Sequence, residues 1–498
     1  MNLMLNPVII TMMKTTHATL PAILLSLLLP LLLASAVMAD DLPDLGDSSA
    51  EALSPQDEQR IADQIMREVS VSDQVVQDPE VADYVQSMGY KLVAVGPDKR
   101  QQFQFFVVRA NSINAFAMPG GVIGIHTGLI VAAGSESEVA SVMGHEIAHV
   151  TQRHLARAMA RQKQDSIITL AAMALALLAS QGSPQLAGGA IQAVGASSIQ
   201  KQLDYTREHE READRVGLQI MEAAGYDVRA APVFFETLQR GSRFLEGSAP
   251  SFLRTHPLTS ERISDVRGRA DQMPYKQVVS TTEFHYVRAK LLAAVGSVKQ
   301  AEDLFRSNIE EKRYSDEASQ HYGLAQVLLR KSDTSGASTQ LAWLRKNAAP
   351  HPMIETLAAD IEMARRNVEG AARQYQAALT RYPDNRALVY GYANYLLSTR
   401  QSDKLIKFVQ EKQPQFPNDP YLYEVLSKAY TAKGKNMLRH QAQGEAYYLR
   451  FNLEAAIEQM QLAAKAADGD FYQQSIVEAR LRQLRQKLSE PKKRGFFN

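Results

Sequence analysis

Gly144-His145-Glu146-Ile147-Ala148-His149-Val150 is the stretch that decides how this chain folds and where its chemistry lies. It sets His, Glu and His in a His-Glu-x-x-His spacing inside an apolar pattern of helical period. At about 3.6 residues per turn, positions four apart lie only about 40° apart around a helix, so His145 and His149 can face one metal ion. Glu146 stands beside them, where a carboxylate can act as general base toward water at that metal. Ser135-Glu136-Ser137-Glu138 reads as a helix start, and Val139, Val142, Met143, Ile147 and Val150 supply an apolar face that would bury the helix. A buried His pair beside a buried Glu is costly without a metal or another partner, which argues against an ordinary helix with two surface histidines.

Two histidines leave a catalytic zinc one protein ligand short, since such a site takes three and keeps a fourth position open. The pattern that finds its third ligand nearby needs Gly at position 152 and His at 155, and the chain has Gln152 and Leu155. His154 lies about 180° around a continuous helix from His145, so it reads as a solvated residue. A better candidate segment is Glu208-His209-Glu210-Arg211-Glu212-Ala213-Asp214, helical in pattern, in which Glu210 and Asp214 share a face. His209 reads as a helix-surface residue.

His-Glu-x-x-His followed by Glu-x-x-Ala-Asp resembles the gluzincin peptidases related to HtpX and the CAAX prenyl endopeptidases. The resemblance implies one Zn2+ per chain on His145, His149 and Glu210, with Glu146 as catalytic base. Asp214 would be the family's second acidic residue, either hydrogen-bonded to a ligand or assisting proton transfer. Asn114-Ala115-Phe116-Ala117 ahead of Pro119-Gly120-Gly121 is similar to the same family, which implies a strand along the cleft where a peptide substrate could add as an extra strand. Thr255-His256-Pro257-Leu258 followed by Arg262 resembles the exported, repeat-bearing BepA-type subset. His256 has two readings: an inhibitory fourth ligand that fills the open position, or a loop histidine packed against the domain.

The whole chain bounds these expectations. A formal net charge of +1 gives no argument for nucleic acid, and the absence of cysteine excludes disulfides, thiolate ligands and cysteine catalysis. Lys14 and His17 precede an apolar run from Leu20 to Leu33, and Val37-Met38-Ala39 offers a cleavage site, so residues 1–39 read as a signal peptide and 40–53 as an acidic linker. Ser54-Pro55-Gln56-Asp57 and Asp78-Pro79-Glu80-Val81 read as two helix starts. Gln102 to Val108 and Val122 to Leu129 are rich in β-formers and read as extended, and His126 as an ordinary strand residue. The apolar run Ile167 to Leu178 is shorter than the ~20 residues a spanning helix needs. Residues 166–200 then suit a core helix with a loop, a lid, or, through 166–180, a peripheral membrane contact.

Beyond Tyr286 the chemistry gives way to a repeat. Small residues recur at Ala289, Ala325, Ala359, Ala393 and Ser427, at spacings of 36, 34, 34 and 34. Ala301, Ala337, Ala371 and Leu405 follow twelve later, then Phe305, Leu341, Tyr375 and Val409, a tetratricopeptide pattern. Ala446 to Ala467 and Phe471 to Leu488 read as two helices of an irregular closing unit. The fold class is therefore mainly α: a gluzincin-type α+β metallopeptidase domain with a small sheet over 54–277, an α-helical repeat solenoid over 282–488, and a disordered tail over 489–498. The two halves are expected to separate by role, with the repeats presenting a concave surface to partners. The resemblance implies a periplasmic endopeptidase and quality-control factor for misassembled outer-membrane β-barrel proteins, with the barrel assembly machinery as partner of the repeats. A chaperone-like binding protein with a largely silent zinc site is the alternative.

Overall fold

The computed structural model of the chain describes residues 53–98, 101–162, 207–244, 252–253 and 256–489. The signal peptide, nearly all of the linker, the segment 166–200 and all but the first residue of the tail fall outside them. Helix α1 (Pro55–Val71) starts where the Ser54 hydroxyl accepts the Asp57 amide, and α2 (Pro79–Val93) where Asp78 accepts the amides of Glu80 and Val81. Proline opens both, because its fixed φ suits the first turn and its missing N–H has no partner to lose there.

Strands β1 (Gln104–Val108), β2 (Ala115–Met118) and β3 (Val122–His126) form one sheet in the order β1-β3-β2, with β1 parallel and β2 antiparallel to the central strand. One expectation is corrected here. The extended run ends at His126, and Thr127–Ala132 forms a short helix, α3. The segment between the two β-rich runs contains β2, the strand that the resemblance at residues 114–117 implied, which a tight turn folds back along β3. Gly120 and Gly121 make that turn at φ 74° and 79°, a left-handed conformation that side chains resist.

The motif helix α4 (Glu136–Thr151) is capped by Ser135, whose hydroxyl accepts the Glu138 amide, and is buried from Glu136 through His149. It is followed by α5 (His154–Gln162), α6 (Arg207–Ala223), α7 (Ala230–Phe244) and α8 (Ser260–Gln272). α4 packs against the sheet, α6 and α7, which accounts for its near-total burial.

The repeat half forms helix pairs. They are α9 (Thr282–Ala294) with α10 (Val298–Glu310), α11 (Glu317–Arg330) with α12 (Thr334–Asn347), and α13 (Pro352–Ala364) with α14 (Val368–Arg381). Then come α15 (Arg386–Ser398) with α16 (Ser402–Lys412), α17 (Pro420–Ala432) with α18 (Asn436–Leu449), and α19 (Leu453–Lys465) with α20 (Phe471–Ser489). Ala289, Ala325, Ala359, Ala393 and Ser427 are all buried on the first helix of successive pairs, so the small-residue register marks close helix contact. Seven residues after each comes a left-handed turn, at Gly296, Ser332, Arg366, Arg400 and Gly434, with φ from 57° to 68°. Three of these five are not glycine, which hides the turn register from composition. Ala446 to Ala467 is not one helix: Phe451 takes φ 60° and divides α18 from α19.

The halves do not stand apart. A continuous apolar core runs from Val76 through α4, α6 and α7 to Phe284, Tyr322 and Ile361. The first turn of α2 meets the repeats, with Lys290 Nζ 2.6 Å from both Asp78 and Glu80, and Arg386 paired with Asp83. Further along, Arg450 donates to the Ser70 carbonyl at 2.6 Å and Glu454 lies 3.4 Å from Arg67, so the repeat array wraps around the catalytic half. A cavity of about 1390 Å³ remains between them, lined by Phe105, Lys290, Asp360, Tyr375, Tyr390 and Tyr448. Shared apolar burial and ion pairs join the two halves.

Candidate metal centre

Two helices build the centre. α4 and α6 cross where Gly144 and Gly217 meet, and a Cβ added at Gly217 would lie 3.0 Å from the His145 amide nitrogen. That approach brings Glu210, two turns back along α6, up to the His pair. His145 Nε2 lies 3.0 Å from His149 Nε2, and Glu210 lies 3.5 Å from the first and 3.4 Å from the second. The fourth member is His256, whose Nδ1 is 3.3 Å from His145 Nε2 and 2.9 Å from Glu210 Oε1. All four ligand atoms lie within 4.8 Å of one another, and all four residues are buried.

These spacings fit a metal. Bonds of about 2.0–2.1 Å at tetrahedral angles put ligand atoms roughly 3.3 Å apart. Three imidazole nitrogens and a carboxylate suit a divalent transition metal. Charge agrees: burial alone would depress His145, but Asp214 and Glu210 outweigh it and hold the imidazole up to about 10. Burial would raise Glu210, yet His256, His145 and His149 keep its carboxyl well below the usual range. Burial, with the charges of His145 and His256, pushes His149 well below the usual imidazole range, so that it stays neutral.

His256 sits in this cluster, and its ring also stacks on Phe252 at 4.6 Å. Glu146 is fully buried, with His256 Nε2 3.5 Å from its Oε1. Burial pushes its carboxyl up against the pull of His256 and His145. Asp214 Oδ1 sits 2.9 Å from His145 Nδ1, the side facing away from the cluster, so it answers to the ligand-holding alternative. Arg262 donates to both Asp214 oxygens at 2.8 and 2.9 Å and lies 2.7 Å from Glu210. His126 stays on its strand, with Nδ1 2.8 Å from the Ser112 hydroxyl.

Two histidines read from sequence as solvated are buried instead. α4 does not continue past Thr151: Arg153 takes φ 52°, and the turn swings His154 back beneath His149. The rings of His154 and His209 stack at 4.5 Å. Arg262 and Glu212 were the further residues that sequence reasoning left without a role. The signal available was the crowding of three carboxylates in Glu208 to Glu212, which only the packing sorts.

The fold and this centre define a metallopeptidase, and residues 79–270 match the family model described as Peptidase family M48. The chain is 30% identical over 459 residues to the Beta-barrel assembly-enhancing protease of Escherichia coli strain K12, covering 91% of this chain and 93% of that one. With the same-named protein of Yersinia pestis it shares 30% over 447 residues, 90% and 92% of the two chains. Mitochondrial metalloendopeptidase OMA1 of Arabidopsis thaliana is 33% identical over 161 residues, 32% of this chain and 30% of the relative. The chain belongs to the beta-barrel assembly-enhancing proteases. No helix among the described residues is long and apolar enough to cross a membrane.

Proposed function

We propose that this chain is an exported zinc metalloendopeptidase that works in the periplasm, degrading misassembled outer-membrane β-barrel proteins and aiding the assembly of others. The convergence of four buried ligand atoms within 4.8 Å supports the peptidase chemistry. The barrel substrates follow from the relatives' name. The repeats would engage the barrel assembly machinery.

His145, His149 and Glu210 would hold the zinc. When bound, zinc supplies Lewis acidity that polarises the scissile carbonyl and acidifies the attacking water. Glu146 takes the proton from that water and returns it to the leaving amine, and a carboxyl raised by burial is the better acid for the second half of that exchange. Asp214, held by Arg262 and 2.9 Å from His145 Nδ1, would favour the proton on that nitrogen and so leave the lone pair of Nε2 facing the centre. β2 is an edge strand beside α4, so an unfolded peptide can pair along it and pass Glu146 whatever its side chains. His256 would act as a latch: with Nδ1 3.3 Å from His145 Nε2 and 2.9 Å from Glu210, it would compete with water for the zinc.

The test is a set of purified variants assayed for zinc content and casein hydrolysis. Glu146→Gln should keep zinc and lose hydrolysis, while His145→Ala, His149→Ala and Glu210→Ala lose zinc. Hydrolysis by the Gln variant at the wild-type rate would overturn the assignment. If cells carrying only Glu146→Gln assemble and clear barrel proteins normally, the chaperone-like reading replaces this one.

A further inference from the structure

The geometry points to His154 as a positioning residue for the metal ligand His149, with Glu212 and Arg157 completing the chain that orients it. The inference rests on the metal reading above. His149 faces the centre through Nε2, and its other nitrogen, Nδ1, lies 2.8 Å from His154 Nδ1. The opposite nitrogen of His154, Nε2, lies 3.1 Å from Glu212 Oε2, which Arg157 reaches at 2.9 Å. His154 is fully buried, and Glu212 and Arg157 lie toward the surface.

One proton arrangement satisfies every link. A carboxylate accepts, so His154 carries its proton on Nε2 and donates to Glu212. Its Nδ1 is then a bare lone pair, and the only way to bond it to His149 Nδ1 is for His149 to donate from that atom. His149 in turn is left with its lone pair on Nε2, the atom that faces the ligand cluster. The reverse arrangement would put the proton on His149 Nε2 and block ligation. Asp214 Oδ1 stands in the corresponding place behind His145, 2.9 Å from its Nδ1. α6 therefore supplies a carboxylate to the cluster, a second behind one histidine and a third behind the other. A ligand histidine held through its far nitrogen is oriented and made more basic, and loss of such a partner costs ~10–100-fold in metal affinity.

The non-glycine left-handed turn at Arg153 delivers His154 to this place, since a continuous helix would carry it to the opposite face. Arg153 is anchored through its guanidinium to the Leu53 carbonyl at 2.6 Å and to Glu58 at 3.1 Å.

The experiment measures zinc affinity of full-length variants by chelator competition, with the visible spectrum of the cobalt-substituted protein as a second readout. His154→Phe keeps ring volume and the stack on His209 but removes the acceptor; affinity should fall ~10–100-fold and the cobalt spectrum should shift. His154→Asn keeps an acceptor oxygen near the Nδ1 position and should stay within a few-fold of wild type. A packing role predicts the opposite order, with Phe tolerated and Asn harmful, and that order would overturn the proposal. Should His154→Phe fail to fold, Glu212→Ala at the rim serves: it should weaken zinc several-fold, and unchanged affinity would overturn the proposal equally. If wild type itself takes up neither metal, the metal reading fails first, and the two failures are told apart.

Discussion

Gly217→Ala isolates the helix crossing that assembles the centre. An alanine Cβ would lie 3.0 Å from the His145 amide nitrogen, 3.1 Å from the Gly144 carbonyl carbon and 3.2 Å from the His145 Cα. All three are backbone atoms of α4, so no side chain can swing aside. Comfortable carbon contacts begin near 3.5 Å, which asks the helices to separate by roughly 0.5 Å. Metal–ligand distances tolerate only about 0.2 Å, and α6 carries Glu210 as a rigid rod. Zinc affinity should therefore fall on the scale of ~10–100-fold, as when a ligand's support is lost. Stability has two opposing parts: alanine gains about 1 kcal/mol over glycine within a helix, and overpacking costs about 1–3 kcal/mol. The net effect should be destabilising by ~1 kcal/mol. Gly268→Ala is the matched control, because it lies inside α8 with nothing within 4 Å of its added Cβ; it should gain ~0.5–1 kcal/mol and leave zinc unchanged. Chelator competition and urea titration read both quantities. If Gly217→Ala binds zinc as wild type and is stabilised like Gly268→Ala, the close crossing is not what sets the ligand geometry.

Arg262→Met would leave Asp214 and Glu210 buried without their cation, a loss of about 3–5 kcal/mol in the metal-free protein. Zinc should restore part of that stability, and calorimetry with and without chelator would show the difference. His256→Ala should raise basal casein hydrolysis with zinc content unchanged; an equal or lower rate in a folded variant contradicts the latch. Burial lowers His126 from its usual value to about 4, so the unfolded chain binds more protons than the folded one between about pH 6.5 and 4. Stability is thus lost as pH falls through that window, by up to ~3 kcal/mol, and the urea midpoint of wild type should drop relative to His126→Gln there but not above pH 7. Lys290→Met should weaken the union of catalytic half and repeats by ~2–4 kcal/mol because Glu80 stays buried; Glu80→Gln in the same chain should recover part of it.

The sequence by itself determined the local features. Period-3.6 patterning and Ser, Asp and Pro caps placed α1, α2 and α4, and four-residue spacings set His145 with His149 and Glu210 with Asp214 on shared faces. The 34-residue registers located the paired helices, since a repeated contact demands a repeated small residue. What the tertiary structure decided depends on residues distant in the chain or on a single backbone torsion. His154 read as solvated because helical arithmetic assumes an unbroken helix, and one left-handed residue at Arg153 reverses its direction. Glu210, Glu212 and Asp214 are alike in sequence and differ in role only because each meets a different partner: the ligand cluster, His154 and His145. The union of the halves was equally hidden, because Lys290 with Glu80 and Arg386 with Asp83 are contacts across hundreds of residues that no periodicity records.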